Sequence, residues 1–247
     1  SVPSVTRFCR AVGYSGYREL LRALAQSLGR LDARELETLP GPSHGPEYLH
    51  AVTERLVERQ CNALQIAGKT IDLDVVQQIA DQVAQASRVT LVGHGAAYPT
   101  ALATAVKLNW AGVPANAVSP DMFSNQAMFQ GPRDVVIGIS HQGRTRDVIE
   151  ALRMAKHLGA TTVGISAVPH APLATVADHY LAVLSPELAR SGTFIVASGA
   201  LMLVADLIAA AVAEDQDEQL TQRRSQVSEW IESRLRVGPL DIRSDDA

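Results

Sequence analysis

The hydrophobic rhythm of the chain changes near residue 87. Before that point apolar side chains recur every three or four residues; after it, short aliphatic runs alternate with stretches of helical period. The runs predict strands over 88–92, 115–118, 134–139, 161–166 and 179–183. The stretches between and after them predict helices over 97–111, 121–130, 145–158, 172–177 (a short one) and 193–213. Strict alternation of this kind folds through right-handed crossovers into a parallel sheet covered on both faces. The expected fold class is therefore α/β, a five-stranded parallel sheet flanked by helices. In the common strand order 2-1-3-4-5 the first and third strands are neighbours where the winding reverses, and ligands of such sheets bind at that carboxyl-terminal edge.

Upstream the pattern is helical. Pro3 suits a first helical turn, Val5, Phe8, Cys9 and Val12 repeat at the spacing that buries one face, and Gly13 ends the element. A second amphipathic helix runs through Leu20, Leu21, Leu24 and Leu28. The run Pro40-Gly41-Pro42-Ser43-His44-Gly45-Pro46 cannot continue a helix and reads as a linker. Helices over 47–67 and 72–85, the second capped by Asp72, then lead into the sheet. The expected organisation is a small helical unit over 1–38, a linker over 39–46, connecting helices over 47–86, the sheet domain over 87–215, and a final helix and tail over 216–247. Leu220, Val227, Trp230, Ile231 and Leu235 give that last helix an apolar stripe expected to extend an interface, cover a sheet edge or serve equally as plain core cover, and the tail after Val237 is polar. The chain opens inside a patterned segment, so the helical unit is expected to lack an amino-terminal portion.

Composition narrows the classes. In 247 residues, 47% hydrophobic and only 4% aromatic, there is room for one alanine-packed core and a small accessory unit. Cys9 and Cys61 are far apart and have no partner spacing, so neither a disulfide framework nor a metal site is expected, and a reducing cytoplasm fits. The apolar stretch 194–213 is long enough to cross a bilayer. Ser198, Gly199 and Asp206 interrupt it, however, and the acids Glu214, Asp215, Asp217 and Glu218 follow, so a buried core or interface helix is expected and no membrane partner. This helix is also the expected dimer surface.

Charge is unevenly spread. The first thirty residues hold five arginines against one acid, a net +4 that leaves −8 for the rest of a chain of net charge −4. On the first helix Ser4, Thr6, Arg7 and Arg10 lie opposite the apolar stripe. Short hydroxyls near the amino end with arginines on outward turns are what a major-groove recognition helix requires. Arg18 and Arg22 suit backbone contacts or solvent.

The candidate chemistry sits after the first and third strands. Val135 to Ile139 deliver Ser140, His141, Gln142, Gly143, Arg144 and Thr145 to the start of a helix, where unpaired N–H groups and the helix dipole attract anions. Gly93, His94, Gly95 and Ala97 form a matching turn after the first strand. The run from Gly93 to Tyr98 lacks the third glycine of a dinucleotide fingerprint, and Val118-Ser119 brings no acid for a ribose, so a nicotinamide cofactor is not expected. No Walker-type glycine-lysine motif is present. Hydroxyls and amides backed by Arg144 and Arg146 favour a compact anion such as a phosphate ester. His170, Asp178 and His179 have no metal-ligand spacing, and no cofactor or metal is assigned.

These residues resemble a known family. The segment from Val89 to Ala213 resembles a sugar isomerase (SIS) domain, a flavodoxin-like fold, with ISHQGRTRDVIEALRMAKHLGA as its closest stretch. PSVTRFCRAVGYSGYRELLRAL resembles the last half of the helix-turn-helix domain of RpiR-type transcriptional regulators. The resemblance implies a dimeric or larger homo-oligomer in which a sugar phosphate, held by Gly93, Gly95, Ala97, Ser140, Gln142, Gly143 and Thr145, controls operator affinity. DNA binding would require the complete helix-turn-helix domain. Serine is usual in the family where this chain has Ala97 and Gln142. Hydrogen bonds to charged groups contribute roughly 1.5–3 kcal/mol each, so their loss lowers affinity on the order of 10²-fold or more: either Gln142, Arg144 and Arg146 compensate, or the effector is not an ordinary sugar phosphate. The same fold also serves aldose-ketose isomerases, which makes sugar-phosphate isomerisation the alternative, with His94, His141, His179 and Glu187 as acid–base candidates.

Overall fold

Runs of β-branched and aliphatic residues closed by glycine, proline or a polar turn become the strands, and each of the five expected ones is present. The computed structural model describes residues 2–14, 16, 44–184, 198–214 and 218–235. Strands β1 (Arg88–Gly93), β2 (Ala115–Val118), β3 (Asp134–Ile139), β4 (Thr161–Ser166) and β5 (His179–Ala182) form one sheet in the order β2-β1-β3-β4-β5. All pairs are parallel. The β1–β3 ladder runs from Arg88 opposite Asp134 to Gly93 opposite Ile139, so both strands end at the same level.

The helices are α1 (Val2–Ala11), α2 (Pro46–Thr70), α3 (Leu73–Gln85), α4 (Tyr98–Trp110), α5 (Pro120–Ala127), α6 (Arg146–His157), α7 (Ser198–Glu214) and α8 (Glu218–Leu235), with short 3-10 turns at Gly95–Ala97 and Pro172–Thr175. Side-chain alternation divides the core. Val89, Leu91, Val135, Ile137 and Ile139 face α3, α4 and α7, whereas Val92 and Val136 face Phe123 of α5 and Val148 and Leu152 of α6. As expected, Asp72 caps α3: its Oδ1 accepts the N–H groups of Asp74 and Val75 at 3.1 and 3.2 Å.

Four expectations need correction. Helix α2 begins at Pro46, inside the expected linker, and continues through Gly68 to Thr70, an isolated glycine near the end of a helix being tolerated. Helix α5 stops at Ala127, since the turn through Met128 and Gln130 redirects the chain towards β3.

Helix α7 is not a free dimer surface. Ala200, Leu201, Val204, Ala205, Ile208 and Val212 are buried against this chain's own α2, α3 and α4, while Asp206 pairs with Lys107 of α4. A helix apolar on nearly all sides must be buried, and here the chain itself supplies the cover. Among the described residues α4 leaves an apolar stripe uncovered at Leu102, Val106 and Trp110.

The fourth concerns α1, which forms and ends as expected. Gly13 N–H bonds Arg10 O and Tyr14 N–H bonds Cys9 O, the closing pattern of a glycine-terminated helix. Of its apolar stripe only Cys9 is buried. Val5, Phe8 and Val12 are exposed, and α1 does not pack closely against any other described element. The helix expected through Leu20 to Leu28, the linker up to Ser43, Glu187, Phe194 and the polar tail lie outside the described residues.

Candidate anion-binding site

The two turns singled out in the sequence lie at one edge of the sheet. Because Gly93 pairs with Ile139, His94 and Ser140 leave neighbouring strands at the same level. Gly93 is buried, and a Cβ there would come within 2.8 Å of Ala97 O, so the turn closes tightly upon itself. His94 and Gly95 are exposed and Ala97 is buried. No side chain caps α4, which begins directly after this turn.

The β3 turn is held more firmly. Ser140 is 2% exposed; its N–H bonds Ile165 O at 3.1 Å and its hydroxyl meets that of Thr145 at 2.8 Å. Gly143 N–H returns to Ser140 O at 2.9 Å, and Gly143 O accepts from Leu173 N–H at 2.8 Å. His141 O accepts from Ala167 N–H, which ties this turn to the one after β4. Thr145 precedes the first residue of α6, and its side chain does not cap the helix. Gln142 is half-buried, and Arg144 and Arg146 are exposed beside the helix start.

His141 is half-buried. Its Nε2 is screened from solvent and has no hydrogen-bond partner among the described residues. Burial depresses its pKa below the usual histidine value, which keeps the ring neutral at pH 7. A neutral imidazole with an unmatched nitrogen can donate or accept, and a ligand group would satisfy it.

Some supporting residues were missed in the sequence. Ser166, the last residue of β4, shares hydroxyl contacts with Tyr180 and Val168 O, and it receives Val168 N–H at 3.1 Å. Burial pushes the Tyr180 phenol up, which keeps it a neutral donor to Val168 O. A Cβ on Gly143 would lie 2.4 Å from Ala171 Cβ and 2.9 Å from Ser166 Oγ, so the β4 turn packs directly beneath the β3 turn. Ser166 ends its strand at the same edge as Ser140, and that position was the available signal.

Among the described residues the remaining acid–base candidate does not join this site. His179 pairs with Val163, three residues short of the edge, and Glu187 lies outside the described residues. Asp178 is structural. Burial alone would raise its pKa, but Lys156, 2.6 Å away, and the hydroxyl and N–H of Thr162 outweigh that and hold the carboxyl below the usual range. Among the described residues no three histidines, cysteines or acids gather as a metal site.

An open cleft of about 580 Å³ lies at the opposite edge of the sheet, lined in part by Arg88, Pro132 and Asp134. Arg88 is already paired with Asp134 at 3.0 Å, and no helix begins there to offer free N–H groups. Size alone therefore does not make it the anion site. On α1, Ser4, Arg7 and Arg10 are exposed and Thr6 is half-buried, so the expected DNA-facing residues share a helix that is open to contact. Among the described residues no helix is long and apolar enough to cross a membrane.

Residues 82–211 match the family model described as SIS domain. The chain is 26% identical to an uncharacterised HTH-type transcriptional regulator of Caldanaerobacter subterraneus subsp. tengcongensis over 95% of this chain and 82% of that protein. It is 31% identical to the HTH-type transcriptional regulator HexR of Pseudomonas aeruginosa over 76% of this chain and 64% of HexR. The solved Vibrio vulnificus NanR protein complexed with ManNAc-6P has the same fold, with a TM-score of 0.69, 22% identity, and coverage of 96% of this chain and 83% of that one. The chain belongs to the SIS domain family, and the helix-turn-helix transcriptional regulators to which it is similar include RpiR of Escherichia coli.

Proposed function

We propose that this chain is a DNA-binding transcriptional regulator of carbohydrate metabolism, whose SIS domain binds a sugar phosphate or a related small anionic metabolite and thereby changes operator affinity. The observation that carries the reading is the convergence of the β1 and β3 turns at one sheet edge. The helices that follow them are uncapped by side chains, and the Ser140 and Thr145 hydroxyls are already in contact. An oxyanion accepts from such N–H groups and hydroxyls, and the helix dipoles add a favourable field. The ligand would be held by Gly93, His94, Gly95 and Ala97 on one side. On the other, Ser140, His141, Gln142, Gly143, Arg144 and Thr145 would hold it.

The head is the unit over residues 1–38, with Arg7 and Arg10 towards base edges or phosphates and Ser4 and Thr6 beside them. The segment 39–45 links it to the connecting helices that begin at Pro46 and run to residue 86. The SIS unit over 87–215 and the final helix and tail over 216–247 complete a chain that works as a homodimer or larger homo-oligomer in the cytoplasm. Ligand occupancy shifts how the two copies sit relative to one another and so the spacing of their heads on a roughly palindromic operator. A coupling of about 1–3 kcal/mol suffices for regulation. The similarity over 95% of this chain to a helix-turn-helix regulator and the NanR complex with ManNAc-6P both support this reading.

The test is a thermal-shift screen of sugar phosphates, sugar acids and unphosphorylated sugars, followed by operator binding of the complete regulator with and without each hit. An anionic hit that changes operator affinity is the expected result. A hit that is turned over by a chain without DNA affinity would replace this reading with the isomerase one.

A further inference from the structure

The carboxyl-terminal edge of the sheet is not electrically uniform. Val92 pairs with Val118, so the turn after β1, which carries His94, and the turn after β2, which runs through Ser119 into α5 with Asp121 in its first helical turn, leave neighbouring strands at the same edge. Asp121 is exposed in the first turn of α5. The Ser119 side chain, its own N–H and that of Met122 hold its carboxyl below the usual range, and His94 adds a smaller attraction. The positive end of α5 is thus already occupied by a carboxylate of the chain itself. The start of α4 carries no acid at all. At α6, Asp147 is offset by Arg144 and Arg146, which flank the hydroxyl pair of Ser140 and Thr145. One end of the edge, over β1 and β3, therefore attracts an anion. The other, over β2, repels one.

We propose that Asp121 sets the orientation and charge class of the ligand. The anionic group lies over the β1 and β3 turns, and the β2 end, with Asp121, Ser119 and His94, receives an uncharged or amino-bearing end. A carboxylate accepts hydrogen bonds from sugar hydroxyls or an ammonium group, whereas a second phosphate or carboxylate there meets a fixed like charge. The site selects sugar derivatives with a single anionic group over those charged at both ends. This inference rests on the anion site proposed above and adds to it a residue outside both turns.

Titration calorimetry of the full chain tests it with three probes: inorganic phosphate, glucose 6-phosphate and glucose 1,6-bisphosphate. The wild type is expected to bind the monophosphate about tenfold or more tightly than the bisphosphate. Asp121→Asn, which keeps an acceptor for the first N–H groups of α5, is expected to bring the two within about threefold and leave inorganic phosphate unchanged. Asp121→Ser serves as a second variant and should give the same narrowing. If the bisphosphate binds as tightly as the monophosphate, or if neither variant alters their ratio, the inference is overturned while the anion site stands. If none of the probes binds the wild type, the anion site falls and the inference with it.

Discussion

Gly143→Ala separates packing from backbone strain at the heart of the site. Gly143 has φ of 62° and Gly95 has φ of 56°, both in the left-handed region that side-chain-bearing residues avoid. Giving either one a Cβ should cost about 1–2 kcal/mol from conformation alone. Around Gly95 nothing lies within 4 Å of the added carbon. At Gly143 the new Cβ would meet Ala171 Cβ at 2.4 Å and Ser166 Oγ at 2.9 Å, so one turn must move by about an ångström, and overpacking of this kind costs about 1–3 kcal/mol more. The sum is about 2–5 kcal/mol for Gly143→Ala against about 1–2 kcal/mol for Gly95→Ala. For a chain of this size each kcal/mol shifts the melting temperature by about 2–4 °C. Thermal unfolding followed by circular dichroism should therefore show a drop of roughly 4–20 °C for Gly143→Ala and roughly 2–8 °C for Gly95→Ala. Equal drops, or a larger one at Gly95, would refute the argument that the β3 turn is seated on the β4 turn.

Three further predictions follow from the same geometry. Ala97→Ser adds a hydroxyl to the β1 turn and is expected to tighten binding of a sugar phosphate on the order of tenfold by calorimetry; unchanged affinity would mean that the anion does not reach this turn. His141, whose pKa is depressed in the folded state, favours folding above the ordinary histidine pKa of about 6.5, and that contribution is lost as pH falls below it. The wild-type melting temperature should thus decline from pH 7.5 to 5.5, and His141→Gln should decline less; parallel curves would count against the buried neutral ring. In the complete regulator, Arg7→Ala should weaken operator binding and lower the salt slope by about one unit, whereas an unchanged slope in a fluorescence-anisotropy titration would remove Arg7 from the DNA contact.

What the sequence carried, it carried through local patterns. Val135 to Ile139 is a continuous apolar run because both faces of a central parallel strand are buried, and Ser140 to Thr145 is polar because it leaves that sheet beside a helix start. Those two facts located the β3 turn without coordinates, and the reversal of strand order located its neighbour after β1. Partnership across the chain was less legible. The apolar character of α7 required burial, but the pattern alone could not say whether a second copy or α2, α3 and α4 supplied it. The same limit hid the seat of Gly143 on Ala171, since that contact depends on how closely the β3 and β4 turns approach. Asp121 was not among the candidates that the pattern offered, because its nearness to His94 depends on β2 lying next to β1. On α1 the stripe Val5, Phe8 and Val12 was correctly apolar, but periodicity names a face to be covered and not the segment that covers it.

The central claim is that the turns after β1 and β3 form one anion site in which Ser140 is the buried anchor. Its most direct test is a calorimetric titration of the tightest-binding member of a sugar-phosphate panel into the wild type and into Ser140→Ala. The account predicts a loss of about 10–100-fold in the variant, the effect of removing one hydrogen bond to a charged group. Equal affinity in the two proteins, or no binding by any member of the panel, would contradict it.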